Sequence, residues 1–591
     1  MVFARASKPS AALQVVGGWA GLPMPNADDL GRLVAGESLR NLFDLDQPID
    51  FALVLRGRSL SGAISAAVRS LDEAKAALSK YKLTPGDDGA LMIEGLGKPV
   101  GASADQSDGE ARVCELAPAF GSAATRIVCA ESDEALRTIG PWLLRGAPRL
   151  TFPADVHVDV RLAPVRALVD PMRRALPILA GAALHVHRSD VPEINETFHA
   201  AIDDLADFTS DCDTMALDAM LGDAQGVATV TAQFRSATSL IARLAVSHPE
   251  RAGAPPPAFW KLPADTDAAF FHRGVDAHDF EATHDRIGRL FAALLGHEGM
   301  GEPDRSALSG ALMHGLDFMT ARSWYGKGID ADAATKAVAA IRDVKDGDDA
   351  AREEAERVAA EKMAGWNVIG LDVPATSVVA FEKEAVAAWA RVGVAKWAKT
   401  KWTDSPVPTI KMTPAPKSLG VKDATQLEVA VYRPHPVEPP KVRKKLAVGK
   451  PLVLHVLVVP DGASSSWVVL AADEDLAVAK AKEVLAGGGG LASRPGLAPL
   501  KDAHVTSAGF LSARGLGLQD SLMWVLATRW NHLSRESLSA VAAAPDHGTT
   551  PILFQATAQP GSGPAAAGTF STTITVPRAA IASLVGLVLS L

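Results

Sequence analysis

Three histidines near the middle of the chain are the first residues whose spacing could support chemistry. His272, His278 and His284 follow one another at six-residue intervals, and carboxylates are interleaved with them at Asp276, Asp279 and Asp285. Imidazole and carboxylate groups are common metal ligands. The helical register nevertheless opposes a metal site, because it places His284 on an apolar stripe and His278 on another face. We therefore predict no metal here, with His284 packed at the edge of a core.

The sequence lacks the common motifs for a catalytic nucleophile, a nucleotide-binding loop and a zinc site. Residues 487–490 are four glycines without the Gly-Lys-Ser/Thr of a phosphate-binding loop, and residues 57–62 are one residue too long for a nucleophile elbow. His297-Glu298 lacks the second histidine of a zinc-protease helix. Cys212 lies between Asp211 and Asp213, which should raise the pKa of its thiol and oppose reactivity. We predict no catalytic residue and no cofactor.

Two acidic clusters and one basic stretch could bind ligands. Residues 44–50 and 207–213 carry spaced aspartates, but neither has the glycine and distal glutamate of an EF-hand, so solvated loops and helix caps are favoured. Residues 389–402 combine three tryptophans with basic residues, a pattern that could suit a membrane surface, a glycan or single-stranded nucleic acid. A helix C-terminus with inward tryptophans explains it better. The basic run 441–445 is expected to be solvated.

Two of the three cysteines are predicted to form a disulfide. Cys114 and Cys129 lie on two short predicted strands, and folding the segment between Gly121 and Ser122 places them opposite each other. Directly opposed residues have Cα atoms about 4.5–5.5 Å apart, within the range of disulfides. Two reduced, buried cysteines in a cytoplasmic protein are the alternative.

Periodicity predicts the elements that position these residues. The order strand, strand, helix, strand, helix occurs over residues 111–184, 213–297 and 451–543. Residues 126–136 resemble residues 467–476, each taking a strand into an acidic helix N-terminus. The shared order indicates repeated units, and the fold class is α+β with antiparallel sheets and a central helical insertion.

The predicted organisation has five segments. Residues 1–190 and 191–330 are α+β units, residues 331–403 a helical insertion, residues 404–450 a Pro-rich linker, and residues 451–591 a C-terminal α+β unit.

Composition excludes several classes of protein. The 591 residues include 59 Lys and Arg against 68 Asp and Glu, a net charge of −9 that does not suit a nucleic-acid footprint. The longest apolar stretches, residues 175–184 and 579–591, fall short of the ~18–20 residues that cross a bilayer, so no transmembrane segment is expected. Residues 1–10 have no apolar signal-peptide core, so an extracytoplasmic protein would have its leader absent from this chain; a cytoplasmic location is the alternative.

Short motifs add a resemblance. Leu262-Pro-Ala-Asp-Thr266 precedes a predicted strand, and Ser493-Arg-Pro-Gly-Leu497 precedes Gly509-Phe-Leu511. These motifs resemble those of bacterial extracytoplasmic, lipoprotein-like proteins of unknown function, in which Leu-Pro-Ala-Asp-Thr opens a strand and hairpin–helix units repeat. The resemblance covers short pieces of the second and third units. It implies a compartment and an architecture, and supplies no catalytic residues.

These observations lead to two hypotheses about function. The first is a non-enzymatic cell-envelope protein that binds or scaffolds a protein or envelope partner. The second is a hydrolase-like enzyme whose site is assembled across units and is hidden from sequence patterns. A pocket with a convergent histidine, acid and nucleophile would favour the second hypothesis. The oligomeric state stays open.

Overall fold

The computed structural model describes residues 1–590 except 21–41, 57–58, 87–88, 95–112, 119–123, 184–189, 346, 395–405, 433–449, 518–544 and 562–566. The chain divides into two compact units. Unit 1 comprises residues 1–172, 202–247 and 559–578, and unit 2 comprises residues 173–201, 248–558 and 579–591. Helices combine with strands whose pairings are antiparallel, which confirms the predicted α+β class.

Unit 1 is built on a sheet with the order β4-β5-β6-β7-β3-β2-β1-β8-β9-β10-β20. Its strands are β1 (Val2–Ala6), β2 (Ile49–Arg56), β3 (Ser59–Ala67), β4 (Lys82–Pro85), β5 (Leu91–Glu94), β6 (Val113–Ala117), β7 (Arg126–Ala130), β8 (Val156–Arg161), β9 (Cys212–Leu221), β10 (Gln225–Phe234) and β20 (Gly568–Pro577). Its helices are α1 (Pro9–Ala20), α2 (Leu71–Ala77), α3 (Asp133–Arg145) and α6 (Leu240–Val246). Helices α4 (Arg166–Ala183) and α5 (Pro192–Asp211) each contribute residues to both units.

Unit 2 is built on a sheet with the order β14-β15-β16-β17-β13-β12-β11-β18-β19. Its strands are β11 (Ala268–His272), β12 (Ser323–Gly328), β13 (Trp366–Leu371), β14 (Thr409–Pro414), β15 (Thr425–Val431), β16 (Leu452–Asp461), β17 (Ser465–Ala471), β18 (Ser507–Ser512) and β19 (Pro551–Pro560). Its helices are α7 (Ala277–His297), α8 (Glu302–Asp317), α9 (Ala331–Arg342), α10 (Asp349–Ala364), α11 (Ala375–Val394), α12 (Glu474–Ala486), α13 (Ala498–Lys501) and α14 (Ala513–Gly517). The last helix, α15, is Arg578–Ser590.

The two sheets share a strand order when their strands are matched in chain order. The run β4-β5-β6-β7-β3-β2-β1-β8-β9 in unit 1 corresponds, strand for strand, to the run from β14 to β19 in unit 2. A helix follows the seventh strand of each set: α3 lies on β6, β7 and β3, and α12 lies on β16, β17 and β13. Both helices begin with a side-chain cap, from Ser132 in α3 and Asp473 in α12, as the acidic N-terminal pattern of both segments favours.

The predicted element order occurs in all three segments as far as they are described. Residues 111–184 contain β6, β7, α3, β8 and α4, and residues 213–297 contain β9, β10, α6, β11 and α7. In residues 451–543 the order holds through β18, and the predicted helix over 521–543 lies outside the described residues. The hairpin and third strand share a sheet in the first and third segments, whereas β10 and β11 of the second belong to different units. Superposition of three repeats stays a prediction.

Some segments differ from the sequence-based organisation. Residues 404–450, expected to be a linker, contain β14 and β15, which pair with each other and extend the sheet from β16. The expected helical insertion, residues 331–403, contains α9, α10 and α11 but also β13, a central strand of unit 2. Strand β13 is buried because helices cover both of its faces. It therefore carries apolar residues on both faces.

Each sheet has one face that forms a core with its capped helix. In unit 1 this α3 face carries Phe3, Ala52, Ala63 and Val128, packed against α3 residues such as Leu136. In unit 2 the corresponding α12 face contributes to the largest core cluster, with Trp324, Trp366 and Trp467 among its members. Within the described part of the chain, no helix is both long and apolar enough to span a bilayer.

Candidate functional site

The predicted disulfide is present. Cys114 of β6 and Cys129 of β7 are bonded, and they are direct partners in the antiparallel ladder, with Cα atoms 4.1 Å apart. The turn predicted around Gly121 and Ser122 lies outside the described residues. Both the bond and the register of the prediction are confirmed.

The three histidines of the candidate metal set lie in different surroundings. His272 belongs to β11, whereas His278 is an exposed residue in the first turn of α7, beside Glu281. His284 is partly buried in α7, where its Nε2 lies 3.3 Å from the carbonyl oxygen of Met313 on α8. This packing fits the predicted core-edge role of His284. Among the described residues no group of three or more His, Cys, Asp or Glu side chains could hold a metal ion.

His272 forms a serine–histidine pair that the sequence did not indicate. The Nε2 atom of His272 lies 2.6 Å from Oγ of Ser323 on β12, and the backbone N–H of Gly274 donates to Nδ1 at 3.1 Å. Burial lowers the pKa of His272, which favours the neutral ring. Because Nδ1 accepts a hydrogen bond, the proton of the neutral ring is on Nε2 and points to Ser323. Nε2 is therefore not free to accept the serine proton, as a nucleophilic mechanism requires.

The free cysteine is also unsuited to nucleophilic chemistry. Cys212 is buried, and burial together with Asp213 and Asp211 raises the pKa of its thiol to about 11. The direction predicted from its acidic neighbours is confirmed, although burial is the larger cause. Asp211 accepts hydrogen bonds from Ser236, Thr238 and Ser239, which hold its pKa at about 2. Asp211 is the last residue of α5 and anchors the loop before α6, so it is a buried carboxylate and not a solvated one.

The other acidic cluster contributes a buried ion network to unit 1. Asp50 of β2 accepts from Nε of Arg5 on β1 at 2.6 Å and from Nη2 of Arg126 on β7 at 2.9 Å. Arg126 also donates to Oγ of Ser65 on β3 at 2.7 Å. All four residues are almost fully buried. The network joins four adjacent strands and has the character of a structural element.

The motifs behind the family resemblance contact each other in unit 2. Arg494, from Ser493-Arg-Pro-Gly-Leu497, donates to the carbonyl oxygens of Ala264 and Thr266 in the Leu-Pro-Ala-Asp-Thr segment. The next residue, Asp267, is buried and accepts from Nε of Arg514 at 2.6 Å. Burial raises the pKa of Asp267, and Arg514 opposes that rise. These contacts fix the start of β11, so the motifs position a strand.

The aromatic-basic stretch is only partly described. Trp389 lies in α11 and donates from Nε1 to the carbonyl oxygen of Pro408 at 2.7 Å, while Nε of Arg391 lies 3.4 Å from a carboxylate oxygen of Asp304. Residues 395–405 and the basic run 441–445 lie outside the described residues. The inward packing predicted for the tryptophans therefore has support at Trp389 alone.

An exposed apolar patch on unit 1 is the feature that best suits binding. On the sheet face opposite α3, Phe51 and Ile64 are cross-strand partners that are 38% and 39% exposed, and nearby Leu60 is 50% exposed. The neighbouring side chains on the same face are also apolar: Ala4, Leu53, Leu55 and Val158. We call these seven residues the open patch. Glu131 borders it, with its carboxylate beside Gly62 of β3.

Helices cover this face of unit 1 on both sides of the open patch. On the β4–β7 side, Ala74 of α2 and the neighbouring Leu78 pack with Ile93, Cys114 and other apolar side chains. On the β8–β10 side, Ala242 and Val246 of α6 pack with Ala232 and its neighbours. The open patch lies between these two clusters, on β1, β2, β3 and β8. Exposed apolar surface of this kind on a rigid sheet is typical of an interaction site.

Sequence patterns did not reveal the open patch. Residues 49–55 are apolar at every position except Asp50, so alternation could not show which face is covered. Comparison of the chain with protein-family models, curated proteins and solved structures found no match. The function is therefore argued from this chain's own residues.

Proposed function

We propose that this protein is a non-enzymatic binding or scaffold module of the cell envelope, and that the open patch is its binding surface. The observation that supports this proposal is that Phe51, Leu60 and Ile64 are all exposed on one sheet face. Burying the exposed part of each side chain against a partner would contribute about 1 kcal/mol, from the usual free energy per unit of apolar area.

The envelope location draws support from the Cys114–Cys129 bond. Disulfides persist in oxidising compartments and are rare where thiols are kept reduced. Placing the module outside the cytoplasm also agrees with the resemblance of the Leu262-Pro-Ala-Asp-Thr266 segment to extracytoplasmic proteins.

Binding is preferred over hydrolysis because of how two candidate nucleophiles, Ser323 and Cys212, are placed. The ring nitrogen of His272 that faces Ser323 carries a proton, and the thiol of Cys212 is buried with a raised pKa. Neither group is activated in the way that covalent catalysis requires.

A dye-binding experiment tests the binding surface. Anilinonaphthalene sulfonate fluoresces on exposed apolar surface, so the native protein should enhance its fluorescence. Replacing Ile64 by lysine should reduce that enhancement, since the charge interrupts the patch. A matched control is Leu312→Lys, at an apolar residue of α8 that is 36% exposed and outside the patch. Equal enhancement in wild type and Ile64→Lys, with both chains folded by circular dichroism, would contradict the proposal.

A further inference from the structure

The equivalent sheet face of unit 2 carries helices. By register, Tyr325 of β12 corresponds to Phe51 of β2. Tyr325 pairs with Phe270, the third residue of β11, and Phe51 pairs with Ala4, the third residue of the matching strand β1. On that face, Ile369 and Val468 pack with Val378 of α11. Further along it, the apolar side chains of β15, β16 and β17 pack against Ala360 and Ala364 of α10.

The connections that supply these helices are much shorter in unit 1. Residues 329–365 link β12 to β13 and contain α9 and α10, whereas residues 57–58 link β2 to β3. Between β13 and β14 lies α11, with 20 residues, whereas its counterpart between β3 and β4 is α2, with 7 residues. Within the open patch, the counterpart of Ile64 is Ile369, which packs with α11, whereas the counterpart of Ala4 is Phe270, which is 39% exposed.

The dimensions and chemistry of the open patch suit one further helix. From Leu60 to Ile64 the strand rises about 13 Å, which equals about two and a half turns of α-helix. The seven residues of the patch carry no charge, so the occupant must present an apolar stripe. Glu131 at the border would attract a basic side chain next to that stripe.

We propose that the open patch binds an amphipathic helix of a partner protein, with its apolar stripe on Phe51, Leu60 and Ile64 and a lysine or arginine beside Glu131. This inference rests on the proposed function and names the chemistry of the partner. Beside Ile64, the helix takes the place that α11 occupies beside Ile369 in unit 2.

A designed peptide tests the helix. The probe is a peptide of about 18 residues made of leucine, alanine and lysine, with leucines at i, i+3, i+4 and i+7, labelled for fluorescence anisotropy with the full chain. Its control has the same composition with leucines at alternate positions. The helical peptide should bind about tenfold more tightly than its control, and Ile64→Lys should remove that preference. Glu131→Gln should weaken the lysine peptide but not a version with glutamine at the lysine positions, and Leu312→Lys should change nothing.

A photo-crosslinker at Leu60 identifies the occupant. With the helical peptide present, benzoylphenylalanine at position 60 should crosslink to the leucine stripe of the peptide. Crosslinks to residues 21–41 of the same chain, or to a second copy of the chain, would overturn the proposal. Equal binding of the helical and alternating peptides would also overturn it. If dye binding still depends on Ile64 in that case, the proposed function survives; if it does not, both fail.

Discussion

At the scale of single residues, Glu382 is a buried carboxyl group whose charge state affects the stability of the fold. It lies on α11, is 3% exposed, and accepts a hydrogen bond from Oγ1 of Thr425 at 3.3 Å. Its other oxygen, Oε1, has no hydrogen-bond partner among the described residues. Burial raises the pKa of Glu382 to about 7. The folded protein therefore favours the neutral acid over the carboxylate.

This raised pKa predicts a loss of stability as the pH rises. The unfolded chain releases the Glu382 proton near pH 4.5 and the folded chain near pH 7, so folding is penalised progressively between these values. The full penalty, reached above pH 7, is at most about 3 kcal/mol. Glu382→Gln removes the charge and keeps an oxygen for Thr425, so its unfolding free energy should exceed that of wild type increasingly from pH 5 to pH 8.

Urea unfolding at several pH values measures this effect. Glu281→Gln serves as the control, because the Glu281 side chain is 69% exposed and its removal should leave the pH dependence unchanged. Parallel stability–pH curves for wild type and Glu382→Gln would show that Glu382 is not buried as an acid.

At the scale of elements, the two units fill matching core positions with chemically different side chains. In unit 1 the row across β1, β2 and β3 is Arg5, Asp50 and Ser65. In unit 2 the matching row across β11, β12 and β13 consists of Phe271, Trp324 and Gly370. A side chain at Gly370 would collide with the Trp324 ring, so glycine is required there. A buried ion network and an aromatic cluster thus occupy matching positions in the two sheets. This is expected when buried ion pairs stabilise a fold little more than apolar packing does.

The ion network of unit 1 should be sensitive to loss of its single carboxylate. Asp50→Asn leaves the buried guanidinium groups of Arg5 and Arg126 without a counter-charge, which should lower the free energy of unfolding by about 3–5 kcal/mol. Asp133→Asn is the matched control: it breaks the exposed pair with Arg137 and should cost less than about 1 kcal/mol. Chemical denaturation measures the free energy of unfolding of both variants. A similarly small loss of this free energy for each would contradict the prediction that Asp50→Asn leaves a buried charge uncompensated.

Local patterns predicted some elements well and others not at all. The strand over 156–161 alternates, and α3 and α12 have acidic N-termini with caps, so their positions follow from a few residues. Strands β1 to β5 and helices α1 and α2 were not predicted. The exposure of Phe51 could not be, because it depends on which helices the rest of the chain places over β2 and β3. Asp50 reads as part of an acidic loop until β1 and β7 bring Arg5 and Arg126 to it.

At the scale of the whole molecule, the main feature is the strand order that the sheets of the two units share. Among the described strands, nine of each unit have the same order, yet helices are inserted into different connections between them. The element order read from the sequence captured the part of this path that runs from β6 to β8 and from β16 to β18. The sequence could not show that the intervening hairpin β9–β10 belongs to unit 1 and the following strand β11 to unit 2, because strand partners lie far apart in the chain.

The cysteines give the last prediction, which decides the compartment of the molecule. Alkylation of the native protein should label no cysteine, because Cys114 and Cys129 are bonded and the thiol of Cys212 is buried with a pKa near 11. Denaturation without reductant should expose one thiol, at Cys212, and reduction should expose all three. A Cys114→Ala/Cys129→Ala variant is the control, with one reactive thiol in denaturant whether or not reductant is added. Mass spectrometry of protein from its native host makes the measurement. Three labelled cysteines in denaturant alone would mean that the bond is absent there, and the case for an oxidising, extracytoplasmic location would lose its main support.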